Sequence, residues 1–150
     1  MLNVRKYSLG PIQTNCYIVS NKEKDCLIFD PGEEGARIVN ELRKNGLNPL
    51  AILLTHTHFD HIGGVDAVRA IYNIPLYVHE KEVEWLADPM KNGSGKYAEL
   101  PNYIVKKPDG EHIIRKEGEM TIGAFTFTVA HTPGHSPGSV SFIFKDDAFA

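Results

Sequence analysis

The chain has 150 residues, 42% of them hydrophobic and 23% charged, and a net charge of -3 at pH 7. That length supports one domain with its own core, the acidic balance without a basic stripe argues against a nucleic-acid surface, and no apolar run approaches the ~20 residues of a membrane span. The start, Met1 to Lys6, has no long apolar stretch of the kind a secretory leader needs, so a cytoplasmic protein is the default expectation.

Strands are expected at Val4 to Tyr7 and Asn15 to Val19, separated by the turn residues Gly10-Pro11, and at Cys26 to Phe29, which ends at Asp30-Pro31-Gly32. Cys16 and Cys26 lie on successive strands. They read as reduced core thiols rather than a disulfide, and they are not spaced as a metal-binding pair. A helix is expected from about Glu33 to Asn45. Glu33 and Glu34 suit its N-terminal dipole, Ile38, Val39 and Leu42 form its apolar face, and Asn45-Gly46 stops it, with Leu47 placed for the contact beyond a C-terminal glycine.

Leu50 to Leu54 reads as a buried strand. Past the histidine-rich run that follows it, a second helix is expected over Val65 to Tyr72, burying Val65, Val68, Ile71 and Tyr72. Ile74 to Val78 is a short strand whose proline suits a first or edge position. A third helix is expected from Glu80 to Ala87, opened by His79, with Val83 and Leu86 turned inward and Trp85 in a packing role. Residues 88 to about 110, punctuated by Pro89, Gly93, Gly95, Pro101, Pro108 and Gly110, read as a flap. Lys91, Lys96, Lys106 and Lys107 form its solvated face. Strands follow at His112 to Ile114, Met120 to Ile122 and Phe125 to Val129, with a tight turn at Gly123-Ala124. The rigid loop His131 to Gly138 comes next, and then a strand from Ser139 to Phe144.

The run Thr55-His56-Thr57-His58-Phe59-Asp60-His61-Ile62-Gly63-Gly64 carries the chemistry. Three imidazoles and a carboxylate within six positions repel one another if protonated and pack poorly if neutral. A divalent metal removes both objections, because neutral imidazole nitrogen and carboxylate oxygen are its preferred ligands. His56 and His58 alternate on an extended segment and can face one ion together. Asp60 and His61 follow where the chain turns toward a helix and can aim at a neighbouring position. His135, in a second stiffened loop at a strand end, completes a three-histidine set. Such a set leaves a fourth position for water, whose pKa a catalytic zinc lowers to about 7. The glycines Gly63-Gly64 at the helix start offer backbone N–H groups for an anion or a developing oxyanion.

These motifs resemble the metallo-β-lactamase-fold superfamily: Asp30 in Phe29-Asp30-Pro31-Gly32, the His-x-His-x-Asp-His run, and His135 in Thr132-Pro133-Gly134-His135-Ser136-Pro137-Gly138-Ser139. The resemblance covers almost the whole chain in order and spacing. It implies an α/β (α+β) αββα sandwich, of which these residues supply the N-terminal portion. Within the superfamily the Thr-Pro-Gly-His-Ser-Pro-Gly-Ser element looks most like glyoxalase II-type hydrolases, which cleave a glutathione thioester with a metal-activated hydroxide. By that resemblance His56, His58 and His135 hold a first metal and Asp60 and His61 a second. Asp60 also orients the nucleophile, and Asp30 braces the histidine loop. The implied cofactor is a pair of Zn2+ ions, with Fe or Mn as alternatives, and the implied partner is a small-molecule thioester, with no nucleic acid and no membrane.

The family's bridging aspartate and its last histidine have no counterpart here, and Asp146 and Asp147 are poor substitutes. The chain is therefore expected to be a fragment of a longer protein. A mononuclear iron persulfide dioxygenase, a lactonase or β-lactamase on the same fold, and an inactive module that retains the fold are the alternative readings. Of the remaining histidines, His131 reads as a support of the site, and His79 and His112 as residues without a ligand role.

Overall fold

The strand β4 (Asn48–Leu53) shows how this fold is layered. Ile52 turns into one hydrophobic cluster, and its neighbours Ala51 and Leu53 turn into another. Adjacent strand residues point to opposite faces, so a run with both faces buried is continuously apolar. Ile28 and its neighbours Leu27 and Phe29 on β3 (Asp25–Phe29) divide in the same way.

A computed structural model describes residues 2–9, 14–57, 59–92, 113–132 and 139–144, and for Thr14, Phe59 and Asp60 the backbone alone. β1 (Asn3–Leu9) and β2 (Thr14–Ser20) form an antiparallel pair, and β2 pairs antiparallel with β3. From β3 onward the neighbours are parallel: β4, β5 (Leu76–His79) and β6 (Ile113–Ile114) complete a six-stranded sheet in sequence order. A second, antiparallel sheet consists of β7 (Gly118–Ile122), β8 (Phe125–His131) and β9 (Val140–Phe144). One core lies between the large sheet and its helices. The other lies between the two sheets, where Phe29, Phe127, Phe142 and Phe144 pack ring on ring. This is the helix–sheet–sheet arrangement of the metallo-β-lactamase fold.

Helix α1 (Gly35–Lys44) buries Ile38, Val39 and Leu42 as its periodicity predicts. It ends in a Schellman motif: the N–H of Leu47 reaches the carbonyl of Leu42 at 2.9 Å, that of Gly46 reaches Arg43 at 3.2 Å, and Gly46 takes φ +65°. Its start differs from expectation. Glu34 sits before the helix at φ +51°, and the first turn contains no acidic residue. The close approach of α3 (Val65–Tyr72) explains where it begins: a Cβ on Gly35 would lie 2.5 Å from that of Ala67. On α3, Val65 and Val68 are buried, whereas Tyr72 is only partly covered and Ile71 is 51% exposed.

A short helix, α2 (Phe59–Ile62), precedes α3 within the histidine run. The third expected helix is corrected. Its only helical part is a 3-10 turn, Val83–Ala87, and His79 closes β5 rather than opening a helix. The physical reason is Glu82, whose N–H bonds back to the His79 carbonyl and whose side chain is drawn inward to Thr57. Asp88 then caps one more turn, α4 (Pro89–Asn92), through the N–H groups of Met90 and Lys91. The rest of the expected flap, with Lys96, Lys106, Lys107 and His112, lies outside the described residues, as do the last residues from 145 on. Gly123 makes the expected tight turn between β7 and β8, at φ +58°. Cys16 and Cys26 are both buried free thiols. Burial pushes the thiol of Cys26 up to about 12 and that of Cys16 well above its ordinary range. No helix among the described residues is long and apolar enough to cross a membrane.

Candidate metal centre

The site lies where β3 and β4 end side by side. Asp30 leaves β3 with its N–H on the carbonyl of Leu53 (3.1 Å) and adopts φ +53°, a left-handed conformation that aspartate tolerates better than most side chains. That turn aims its buried carboxylate at the first residue beyond β4. Oδ1 accepts the backbone N–H of Thr55 at 2.8 Å, and Oδ2 accepts the hydroxyl of Thr55 at 2.6 Å. The hydroxyl of Thr55 also lies 3.1 Å from Nδ1 of His56. A threonine hydroxyl has one proton, and the carboxylate takes it. The hydroxyl therefore accepts from His56, which puts the imidazole proton on Nδ1 and the lone pair on Nε2.

Oδ2 of Asp30 lies 3.1 Å from Nδ1 of His61 as well. The rings of His56 and His61 meet with centroids 3.8 Å apart at 52°, and only 7% of His56 is exposed. Two imidazoles at this spacing, one buried and the other 18% exposed, cannot both be protonated without strong repulsion. Nδ1 of His56 faces the Thr55 hydroxyl and Nδ1 of His61 faces the Asp30 carboxylate, so in each ring Nε2 is the nitrogen on the side away from these oxygens. This is the donor chemistry of a histidine metal site whose ligands are oriented by outer oxygens, and the residues present fit such an ion.

Helix α3 and the turn after β3 are locked together behind the site. The N–H of Gly64 donates to the carbonyl of Pro31 at 2.7 Å, and a Cβ on Gly63 would overlap the carbonyl oxygen of Gly32. The expected anion-binding role of the Gly63-Gly64 amides is corrected for Gly64, because its N–H already has a partner in the Asp30-Pro31-Gly32 turn.

The loop that carries His135 is tied to the same place. Its ends are joined by the N–H of Thr132 on the carbonyl of Ser139, and the hydroxyls of Thr132 and Ser141 are 3.0 Å apart. The N–H of Val140 then donates to the carbonyl of Thr55 at 2.9 Å. Thr55 thus meets Asp30, His56 and the base of the second loop. His58 and His135 lie outside the described residues, and for Asp60 the backbone places it within α2. Among the described residues no group of three or more histidine, cysteine or acidic side chains is arranged to hold a metal ion by itself. The structure accordingly brings together His56, His61 and Asp30 from the expected set.

Two groups beside the site, Glu82 and His79, were not indicated by the sequence, whereas His131 was read as a support of it. The buried carboxylate of Glu82 accepts the N–H of Thr57, between His56 and His58, at 3.1 Å. The expected helix turned Val83 and Leu86 inward and gave this glutamate no role. The ring of His79 stacks on that of His131 with centroids 4.8 Å apart and 9° between planes. Nδ1 of His79 accepts the N–H of Lys81 at 3.1 Å, and the N–H of His131 donates to Glu117 at 2.9 Å. Burial, and then the neighbouring His131, hold the pKa of His79 below its ordinary value.

A strand-end histidine loop braced by a carboxylate, on two packed sheets with outer helices, defines a metallo-β-lactamase-type protein. The chain belongs to that superfamily: the model of the metallo-beta-lactamase superfamily matches residues 9–150. The "Probable metallo-hydrolase YqgX" of Bacillus subtilis (strain 168) is 49% identical over 142 residues, which are 95% of this chain and 65% of that protein. The "Hydroxyacylglutathione hydrolase GloC" of Haemophilus influenzae is 29% identical over 143 residues, 95% of this chain and 66% of that protein. Among solved structures, the BLEG-1 B3 metallo-beta-lactamase superposes with a TM-score of 0.89 at 51% identity, over 96% of this chain and 67% of that one. TTHA1623 in a di-iron-bound form does so with a TM-score of 0.73 at 33% identity, over 94% and 67%. The chain thus spans about two thirds of the length of these four relatives, 65% in the Bacillus case.

Proposed function

We propose that this chain is the metal-binding part of a metallo-hydrolase of the glyoxalase II type, which cleaves the thioester of a small thiol such as glutathione. The observation that carries the metal reading is the chain of contacts from Asp30 through Thr55 to His56, because it selects the imidazole tautomer a cation needs. The ligands proposed are His56, His58 and His135 for one ion and Asp60 and His61 for a second, either zinc or iron. The two irons of the TTHA1623 structure support a pair, and the likeness to GloC supports the thioester. When bound, such ions supply an activated water at neutral pH and polarise the scissile carbonyl. The chain's own part is to hold His56 buried with His61 against it, and to keep the two ligand loops in register through Thr55.

A second reading, hydrolysis of a β-lactam, is favoured by the 51% identity to the BLEG-1 enzyme. Fold and metal serve either substrate, so the assay decides. The test is elemental analysis of the purified full-length protein, paired with turnover of S-lactoylglutathione and of a chromogenic cephalosporin. The thioester reading expects about two metal ions per chain and thioester loss. It also expects His58→Ala to remove metal and turnover together, while His112→Ala changes neither. A fully active, metal-free His58→Ala protein overturns the metal reading. Cephalosporin turnover without thioester turnover selects the second reading, and a single iron with persulfide-dependent oxygen uptake selects a dioxygenase over both.

A further inference from the structure

The segment from His79 to Glu82 touches the histidine loop and the end of β8, the strand that leads into the loop carrying His135. At its end Glu82, with no exposed surface, bonds the N–H of Thr57 at 3.1 Å, and the Thr57 hydroxyl lies 3.3 Å from the Glu82 carbonyl and 3.4 Å from its carboxylate. Thr57 stands between His56 and His58, so a shift of its backbone moves both. At the start of the turn His79 is stacked flat on His131, which leads directly into the 132–139 loop that carries His135. The turn itself is closed by the N–H of Glu82 on the His79 carbonyl (2.9 Å) and by the N–H of Lys81 on Nδ1 of His79.

A fully buried carboxylate is costly to place unless its bonds serve the fold or the site. Trp85 and Asp88 continue the chain into the next turn without needing it, since their N–H groups bond backbone carbonyls. Glu82 holds the histidine loop at Thr57, two residues beyond the Asp30 contact. Asp30 fixes Thr55 and Glu82 fixes Thr57, so His56 is clamped at both of its peptide neighbours.

We propose that the turn His79–Glu82 is a shared positioning element for the two metal-binding loops, with Glu82 as a positioning residue acting through Thr57 and His79 acting through His131. This rests on the metal reading above. It goes further by assigning a role to residues outside the histidine motif and by predicting that the geometry of the metal depends on them.

The experiment measures zinc affinity by chelator competition and the visible absorption spectrum of the cobalt-substituted full-length protein. Glu82→Gln keeps the volume and one acceptor oxygen for the Thr57 N–H, and it is expected to hold zinc within about threefold of the parent and to keep its cobalt spectrum. Glu82→Leu removes the acceptor at similar volume. It is expected to weaken zinc binding about 10- to 100-fold, the range for loss of an outer support of a metal ligand, and to shift the cobalt bands. Parent-like affinity and spectrum in Glu82→Leu overturn the proposal.

If that variant does not fold, the His79 pair decides. His79→Phe preserves the stack and His79→Ala removes it, and only the second is expected to change the cobalt spectrum. An unchanged spectrum in His79→Ala then overturns the proposal. Failure of the underlying metal reading looks different: the parent protein itself binds neither ion.

Discussion

The side chains of Asp30 and Thr55 are 25 positions apart in sequence and 2.6 Å apart in space, and the second carboxylate oxygen takes the Thr55 N–H. One carboxylate therefore connects the ends of two parallel strands, sets the proton on His56 and lies beside His61. The left-handed backbone at Asp30 is what turns it there.

Replacing Asp30 should separate these roles. Asp30→Ala loses two bonds to a charged acceptor, worth about 1.5–3 kcal/mol each, and adds left-handed strain of about 1–2 kcal/mol. The expected loss of stability is at least about 3 kcal/mol. Asp30→Asn tolerates the same φ and keeps one acceptor oxygen, so it should lose less than half as much. Urea denaturation of the metal-free protein measures both. Equal stability of Asp30→Ala and the parent would remove Asp30 from any bracing role.

The glycines make a second contrast. Gly63→Ala forces a methyl against the Gly32 carbonyl behind the site, whereas Gly46→Ala meets nothing within 4 Å and adds only left-handed strain. The first should cost about 1–3 kcal/mol by overpacking and should also weaken zinc binding, because α3 and the Asp30 turn must part. The second should cost about 1–2 kcal/mol and leave zinc affinity unchanged. Thermal melts with and without metal distinguish them, and intact zinc affinity in Gly63→Ala would contradict the coupling.

Stability should also fall on mild acidification because of His79. Its pKa in the fold is lowered by burial first and by His131 next. Lys81 lowers it further, and Glu80 and Glu82 oppose the shift without cancelling it. A histidine lowered in this way binds its proton more tightly in the unfolded chain. Its contribution is complete above the unfolded pKa of about 6.5, declines as pH falls through that value, and levels off below the folded pKa. His79→Phe, which keeps the stacked ring but cannot titrate, should flatten this part of the profile. Denaturation midpoints from pH 8 to pH 5 test it, and parallel profiles for the variant and the parent would refute it.

The sequence alone determined the strands and the helices α1 and α3, because these depend on local regularities, and it pointed to the superfamily through the resemblance of its motifs. Period two and period 3.6 mark buried faces, Gly46 and Leu47 mark a helix end, and a histidine run after an apolar strand needs no tertiary context to suggest a metal. Only the tertiary structure decided what holds that run. The partner of Thr55 came from β3, that of Thr57 from the turn after β5, and that of His131 from the end of β5. No pattern along the chain encodes a contact between residues 25 or 52 positions apart. For the same reason the helix expected at Glu80 gave way to a 3-10 turn, and the Gly64 amide expected to meet an anion met Pro31 instead. Local propensity is worth tenths of a kcal/mol per residue, and a buried carboxylate that must find an N–H partner outweighs it.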